Sequence, residues 1–381
     1  QRFGDNGHEA TPGHGLDLEE TTLADRLRTA GYATGLVGKW HLGEDPEFHP
    51  MQRGFDEFFG FLRGGHNFFP DVPIIIFPDR NGIGEDLGQI PEARATLDHQ
   101  ILRGKEHVTE ETYLTDAFAR EAVSFIRRHE AKPFFLYLSF NAVHTPMQAT
   151  NDRLEKFASV NHPVRKVYNA MTLAMDEAVG DVLTQLDRSG LEEDTLIFFI
   201  SDNGGPTVHK YAYNASDNSP LRGSKGTTLE AGIRVPFVVS WPGQIASGEQ
   251  YDEPVIQMDI FPTVLAAAGI DVESEKRLDG VNLLPHLLGE TSGSPHEALY
   301  WRSLGQMAIR RGNWKLVSYV AKMDEGELLR SDPRDEMTPL RLYNLKRDIG
   351  ESQDLSQQEP QVVAELLSLW NQWNDRMKPA L

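Results

Sequence analysis

The feature that most constrains this chain is a recurring unit: a stretch of helical periodicity, then a short apolar run, then polar residues where the run stops. Residues 134–140 read Phe-Phe-Leu-Tyr-Leu-Ser-Phe, and residues 195–200 read Thr-Leu-Ile-Phe-Phe-Ile. Runs that are apolar on both faces fit strands buried within a parallel sheet. An earlier run, residues 32–37, is Tyr-Ala-Thr-Gly-Leu-Val. Ahead of it Thr22-Leu23-Ala24-Asp25 has capping-box form, and Leu23, Leu27 and Ala30 keep helical spacing until Gly31. Leu114, Phe118, Ala122 and Phe125 repeat that spacing ahead of the 134–140 run, and residues 164–186 do so ahead of the 195–200 run. The alternation predicts an α/β fold with a mainly parallel central sheet flanked by helices. Residues 235–239 predict a fourth strand, and residues 258–268 a further helix.

From about residue 295 the texture changes. Residues 298–302, residues 306–319 with a turn at Gly312-Asn313, and residues 342–345 predict antiparallel strands, and a helix follows from residue 360 to about 377. The expected division is therefore residues 1–294 as the α/β domain and 295–381 as a smaller α+β domain. Residues 64–105, rich in glycine, proline and charge, predict an irregular excursion over the surface.

Composition narrows the function. The 381 residues carry 57 acidic against 37 basic side chains, a net charge of −20. A nucleic-acid or anionic-membrane binder needs a broad basic surface, so neither partner is expected. Any anionic substrate must be met by a local cluster of cations. No apolar stretch approaches the roughly 20 residues of a membrane span, and no signal peptide is present at Gln1. With no cysteine in the sequence, disulfides, thiolate metal sites and a cysteine nucleophile are excluded within these residues.

The strand ends carry the chemistry. In an open α/β sheet, ligands bind beyond the carboxyl ends of the strands. Gly38-Lys39-Trp40-His41-Leu42-Gly43 ends the first run, and strand alternation predicts Lys39 and His41 on one face with Trp40 on the other. A cation beside a titratable imidazole suits an anion, although a solvated strand end reads the same way. Asp202-Asn203-Gly204-Gly205 ends the third run. Its carboxylate and amide oxygen are hard ligands suited to Ca²⁺ or Mg²⁺, and an Asx turn is the plainer alternative. His144 ends the second run, where a lone histidine can equally be structural. Ser224-Lys225-Gly226-Thr227-Thr228 is a polar turn that supplies another cation. Together Lys39, His41, His144 and Lys225 with Asp202 and Asn203 form an inventory for hydrolysing a tetrahedral anionic ester, in which cations bind non-bridging oxygens and an imidazole protonates the leaving alkoxide.

Six ordered motifs sharpen this. Gly38-Lys39-Trp40-His41-Leu42-Gly43, Arg53-Gly54-Phe55-Asp56, Asn141-Ala142-Val143-His144-Thr145-Pro146, Ser201-Asp202-Asn203-Gly204, the segment from Gly223-Ser224-Lys225 to Glu230-Ala231-Gly232, and Asp259-Ile260-Phe261-Pro262-Thr263 resemble the motifs of type I sulfatases of the alkaline phosphatase superfamily. The resemblance implies Asp202 and Asn203 as ligands of Ca²⁺, with Mg²⁺ the alternative, and Lys39 and Lys225 as holders of the sulfate oxygens. It implies His41 as support for the nucleophile and His144 as leaving-group acid. It further implies a sulfated small molecule or glycan as substrate, and a periplasmic or secreted location. His66, with Phe68 and Phe69, is the candidate for lining a sugar-sized pocket, against the alternative of an aromatic loop packed on the domain.

Sulfatases of this type also carry a first strand ending in an acidic pair, and a Cys-x-Pro-Ser-Arg or Ser-x-Pro-Ser-Arg segment whose first residue becomes formylglycine. No Ser-x-Pro-x-Arg occurs here, so the chain is expected to lack that N-terminal segment. The alternatives are a phosphodiesterase or phosphonate-ester hydrolase of the same superfamily, and a non-catalytic anion- or glycan-binding remnant.

Overall fold

The computed structural model describes residues 13–69, 101–207, 214–271, 278–303, 305–324 and 336–377. Helix α1 (Leu23–Thr29) starts at its capping box: the Thr22 hydroxyl accepts the Asp25 N–H at 3.0 Å, and the Asp25 carboxylate accepts the Thr22 N–H at 3.1 Å. The chain then runs through β1 (Ala33–Lys39), β2 (Glu57–Phe61), β3 (Ile101–Arg103), β4 (Glu106–Val108), helix α2 (Leu114–His129) and β5 (Phe134–Ser139). These strands form one sheet in the order β4-β3-β2-β1-β5. β1 is parallel to both β2 and β5, whereas β3 and β4 pair antiparallel at the edge. The sheet is therefore mixed, with its parallel part centred on β1. β3 begins inside the stretch read as irregular, because strands of three residues are too short to show periodicity. Residues 70–100 of that excursion lie outside the described residues.

Helix α3 (Pro163–Arg188) packs across α2, with Val167, Ala170, Met171 and Ala174 joining Phe118 and Leu114 in one core cluster. Burying side chains such as Phe118 and Met171 is worth about 1.5–3 kcal/mol each. After it come β6 (Ile197–Ile200), β7 (Phe237–Ser240) and α4 (Ile260–Ala267).

Here the structure corrects the sequence reading. β6 does not join the parallel sheet; it pairs antiparallel with β7 in a separate two-stranded sheet. Among the described residues β5 pairs only with β1, and β6 only with β7. Between the two lies a cavity of about 1660 Å³, lined by Leu136 and Leu138 from one strand, Ile197 and Phe199 from the other, Val182 and Leu183 of α3, and Phe261 and Val264 of α4. Tyr137 is 46% exposed and Phe199 40%, so strands whose sequences suit a sheet interior stand as edges. An apolar run signals a buried strand but not which neighbour it pairs with.

The C-terminal part is a four-stranded antiparallel sheet, order β11-β10-β9-β8, made of β8 (Leu299–Ser303), β9 (Gln306–Arg311), β10 (Trp314–Ser318) and β11 (Arg341–Asn344), with helix α5 (Pro360–Asn374). Strand alternation divides its faces. Ile309, Leu316 and Leu342 pack with Leu366 of α5, while Ala308, Val317 and Tyr343 pack on Leu229. The core under the second sheet thus reaches back across the 294/295 division.

Candidate active site

The carboxyl ends of β1, β5 and β6 open on the same cavity. At the end of β1, Gly38 has φ +120°, and a Cβ there would collide with the Ser139 carbonyl oxygen of β5. Only glycine allows this approach. The strand stops at Lys39. Trp40 and His41 still donate their N–H groups to Phe61 O and Leu62 O, at 2.9 Å each, but His41 adopts φ +58°. Strand alternation therefore does not extend to His41, and the one-face expectation for Lys39 and His41 loses its basis; both nevertheless line the cavity. A non-glycine residue held there costs about 1–3 kcal/mol and persists where its surroundings over-determine it. Trp40 supplies that constraint, being buried, edge-on to Phe55 at 6.1 Å, and donating its indole N–H to Phe48 O at 2.9 Å.

His144 sits in the turn after β5, its N–H donated to Asn141 O at 2.8 Å. Its Nδ1 lies 2.7 Å from Thr145 O. A carbonyl only accepts, so Nδ1 carries the proton and Nε2 is the open nitrogen of the neutral ring. Burial, then the charge of Lys225, and more weakly that of Lys39, push its pKa down to about 4, against the opposing pull of the Thr145 carbonyl and Asp202. The ring is neutral at pH 7. The same interactions put Lys39, Lys225 and Asp202 within electrostatic reach of one imidazole, although the four residues span nearly half the chain.

The Asp202 segment is held against the Lys225 turn by backbone contact. A Cβ on Gly204 would collide with the Ala231 carbonyl oxygen, and Gly204 N–H donates to Gly232 O at 3.2 Å. Gly205 O accepts the Lys225 N–H at 3.2 Å and the Asn218 Nδ2 at 2.9 Å. Gln257 Nε2 donates to Ser201 O at 2.7 Å, and Asn214 Nδ2 to Val143 O at 3.0 Å. Sequence reasoning missed Asn214, Asn218 and Gln257. Asn214 and Asn218 are single amides in loops and Gln257 opens a short 3₁₀ turn, with no spacing or motif to mark them.

The sequence paired Asp202 with Asn203 as metal ligands, and the structure keeps them adjacent at the cavity. Asn203 Nδ2 donates to Gly204 O at 2.9 Å, which orients the amide. One carboxylate and one amide oxygen fall well short of the six to eight oxygens Ca²⁺ takes. Among the described residues no group of three or more His, Cys, Asp or Glu is placed to hold a metal. Asp202 and Asn203 therefore do not by themselves make a divalent-cation site.

His66 is not brought to the cavity. Its ring is buried against Phe61, centroids 4.9 Å apart, and Nδ1 bonds Asn67 O at 2.6 Å. Phe68 is buried too, stacked on Tyr113 at 5.7 Å. Among the described residues, this packing matches the alternative of an aromatic loop on the domain.

Comparison with known proteins gives the family. Residues 2–270 match the Sulfatase family, and residues 224–368 match the family described as N-sulphoglucosamine sulphohydrolase, C-terminal. The chain belongs to the sulfatase family. Among curated sulfatases it is 33% identical over 309 residues to the N-acetylgalactosamine-6-sulfatase of Mus musculus, covering 79% of this chain and 55% of that protein. It is 34% identical over 378 residues to the steryl-sulfatase of Rattus norvegicus, covering 81% and 63%. The chain thus spans a little over half the length of these relatives. The crystal structure of Ps i-CgsB in complex with k-i-k-neocarrahexaose superposes with a TM-score of 0.80 at 31% identity, covering 98% of this chain and 77% of that one. Sulfatases as a family imply a divalent metal and a formylglycine. Among the described residues no helix is long and apolar enough to cross a membrane.

Proposed function

We infer that the protein is a sulfuric-ester hydrolase acting on a carbohydrate sulfate outside the cytoplasm, and that Lys39, Lys225, His41 and His144 are its anion-handling groups. The observation that carries this is the electrostatic convergence of Lys39, Lys225 and Asp202 on His144 in the lining of one cavity. Two ammonium groups and the Asp202 carboxylate act on one buried, neutral imidazole, in a chain of net charge −20. A pair of lysines beside an imidazole suits an anion. The carbohydrate preference rests on the relatives, one named for N-acetylgalactosamine 6-sulfate and one solved with a neocarrahexaose.

The residues present suggest how the leaving group is served. With no anion bound, burial and the two lysines together hold His144 neutral. A sulfate seated between them offsets their charge, so the His144 pKa rises and Nε2 gains the proton it then delivers to the departing alkoxide oxygen. Such proton delivery is worth about 10²–10⁴ in rate. No step through a metal or a formylglycine is assigned to these residues.

Inorganic sulfate titrated calorimetrically tests the anion site. One saturable site is expected, weakened at least tenfold in Lys39→Ala and in Lys225→Ala; unchanged affinity in both would remove the reading. Turnover of an aryl sulfate against an aryl phosphodiester separates a sulfatase from a phosphodiesterase of the same superfamily, and preference for the diester would decide for the latter.

A further inference from the structure

Lys315 is the second residue of β10, and its side chain is fully buried. It shares a strand face with Val317, which packs on Leu229, while Leu316 between them faces α5. Its cross-strand neighbours on that face are Arg310 and Tyr343, and a fully buried ammonium group beside another cation needs partners. Its Nζ donates to Glu230 Oε1 at 2.9 Å and lies 2.9 Å from Glu351 Oε1. Glu351 is itself fully buried, with φ +51°, and its Oε2 accepts the backbone N–H of Glu230 at 2.6 Å. Burial favours raising the Glu230 carboxyl, but Lys315, with Arg310 and Arg234, holds the group below the ordinary carboxylate range.

Both partners lead to one segment, residues 222–233, which presents Lys225. Its start is fixed by Arg222, which donates to Glu351 O at 2.9 Å, Tyr319 Oη at 3.0 Å and Asp324 Oδ2 at 2.6 Å. Its middle is fixed by Gln306 Nε2, which donates to Gly226 O at 2.8 Å. Its end is Glu230. The segment is closed on itself by Ala231 N–H to Arg222 O at 2.9 Å.

We propose that Lys315 is a positioning residue for the anion site: from the C-terminal sheet it locks the 222–233 segment so that Lys225 is held beside His144 and Lys39. This rests on the reading of Lys225 as an anion-holding cation. A buried ammonium between two carboxylates is satisfied in one arrangement, whereas an apolar contact tolerates sliding. The second sheet, which among the described residues supplies none to the cavity, thereby acts on the site at its far side.

The test is a thermodynamic cycle on the full chain, read by inorganic sulfate titration. Lys315→Met is expected to weaken sulfate about tenfold at a temperature where circular dichroism shows it folded. In Lys225→Ala the same change should cost little more, because the residue it positions is gone. Glu351→Gln, close in shape, should weaken sulfate in the same direction and lose its effect in Lys225→Ala as well. A purely structural Lys315 lowers the melting temperature but leaves sulfate affinity of the folded protein unchanged, or weakens it equally with and without Lys225; either result overturns the proposal. If Lys225→Ala alone leaves sulfate binding intact, it is the role of Lys225 that fails.

Discussion

Removing the charge of Lys225 should restore proton affinity to His144. In the native protein its pKa lies at about 4 rather than the ordinary 6.5, with burial the largest cause and Lys225 the next. At about 1.4 kcal/mol per pH unit, the difference corresponds to roughly 3 kcal/mol of protonation free energy. Its sign fixes a pH window. Between pH 6.5 and 4 the unfolded chain accepts a proton that native His144 refuses, so stability is unaffected above the window and falls as the pH drops through it. In Lys225→Met the midpoint should rise by about one pH unit, on the order of 1.4 kcal/mol, and the acid destabilisation should shrink by the same amount. It should not return to 6.5, because burial remains. Lys39→Met should move it less, Lys39 being the weaker cause. Proton NMR titration of the imidazole Cε1–H, assigned with His144→Asn, reads the midpoint directly. A midpoint that stays near 4 in Lys225→Met would refute the convergence of these groups, whatever the fold.

Two further predictions concern the scaffold. Gly38→Ala, which would put a Cβ into the Ser139 carbonyl oxygen at φ +120°, should destabilise the protein by about 3 kcal/mol or more; a change in chemical denaturation below about 1 kcal/mol would show that β1 and β5 are not so tightly apposed. The facing edges of β5 and β6 carry no charge or proline to deter pairing, so this chain should self-associate with rising concentration and the double variant Tyr137→Lys, Phe199→Lys should not. Sedimentation velocity showing a monomer at every concentration for the unsubstituted chain would contradict it.

What the sequence disclosed, and what it concealed, divides along physical lines. Local chemistry was legible: the Thr22–Asp25 box, the Gly312-Asn313 hairpin and the strand over residues 134–139 depend on neighbours in sequence, and each appears where expected. Pairing was not, because nothing in residues 195–200 says that β6 takes β7 as its antiparallel partner. Lys39, His144, Asp202 and Lys225 could be proposed from the sequence because each stands at or near a strand end or turn, where polar residues break an apolar pattern. For His66 both readings stayed open, because an aromatic loop that packs inward looks, in sequence, like one that lines a pocket. The left-handed turn at His41 has no glycine to announce it. Lys315 was invisible for a different reason: one lysine on a strand reads as solvent-exposed until Glu230 and Glu351 are seen closing on it.

The most direct measurement of the central claim is a crystal structure of the protein with inorganic sulfate. The account predicts one sulfate bonded to both Lys39 Nζ and Lys225 Nζ, with His144 Nε2 within hydrogen-bond distance of an oxygen. A sulfate bound elsewhere with this cluster unoccupied, or the two lysines turned away from a common anion, would contradict it.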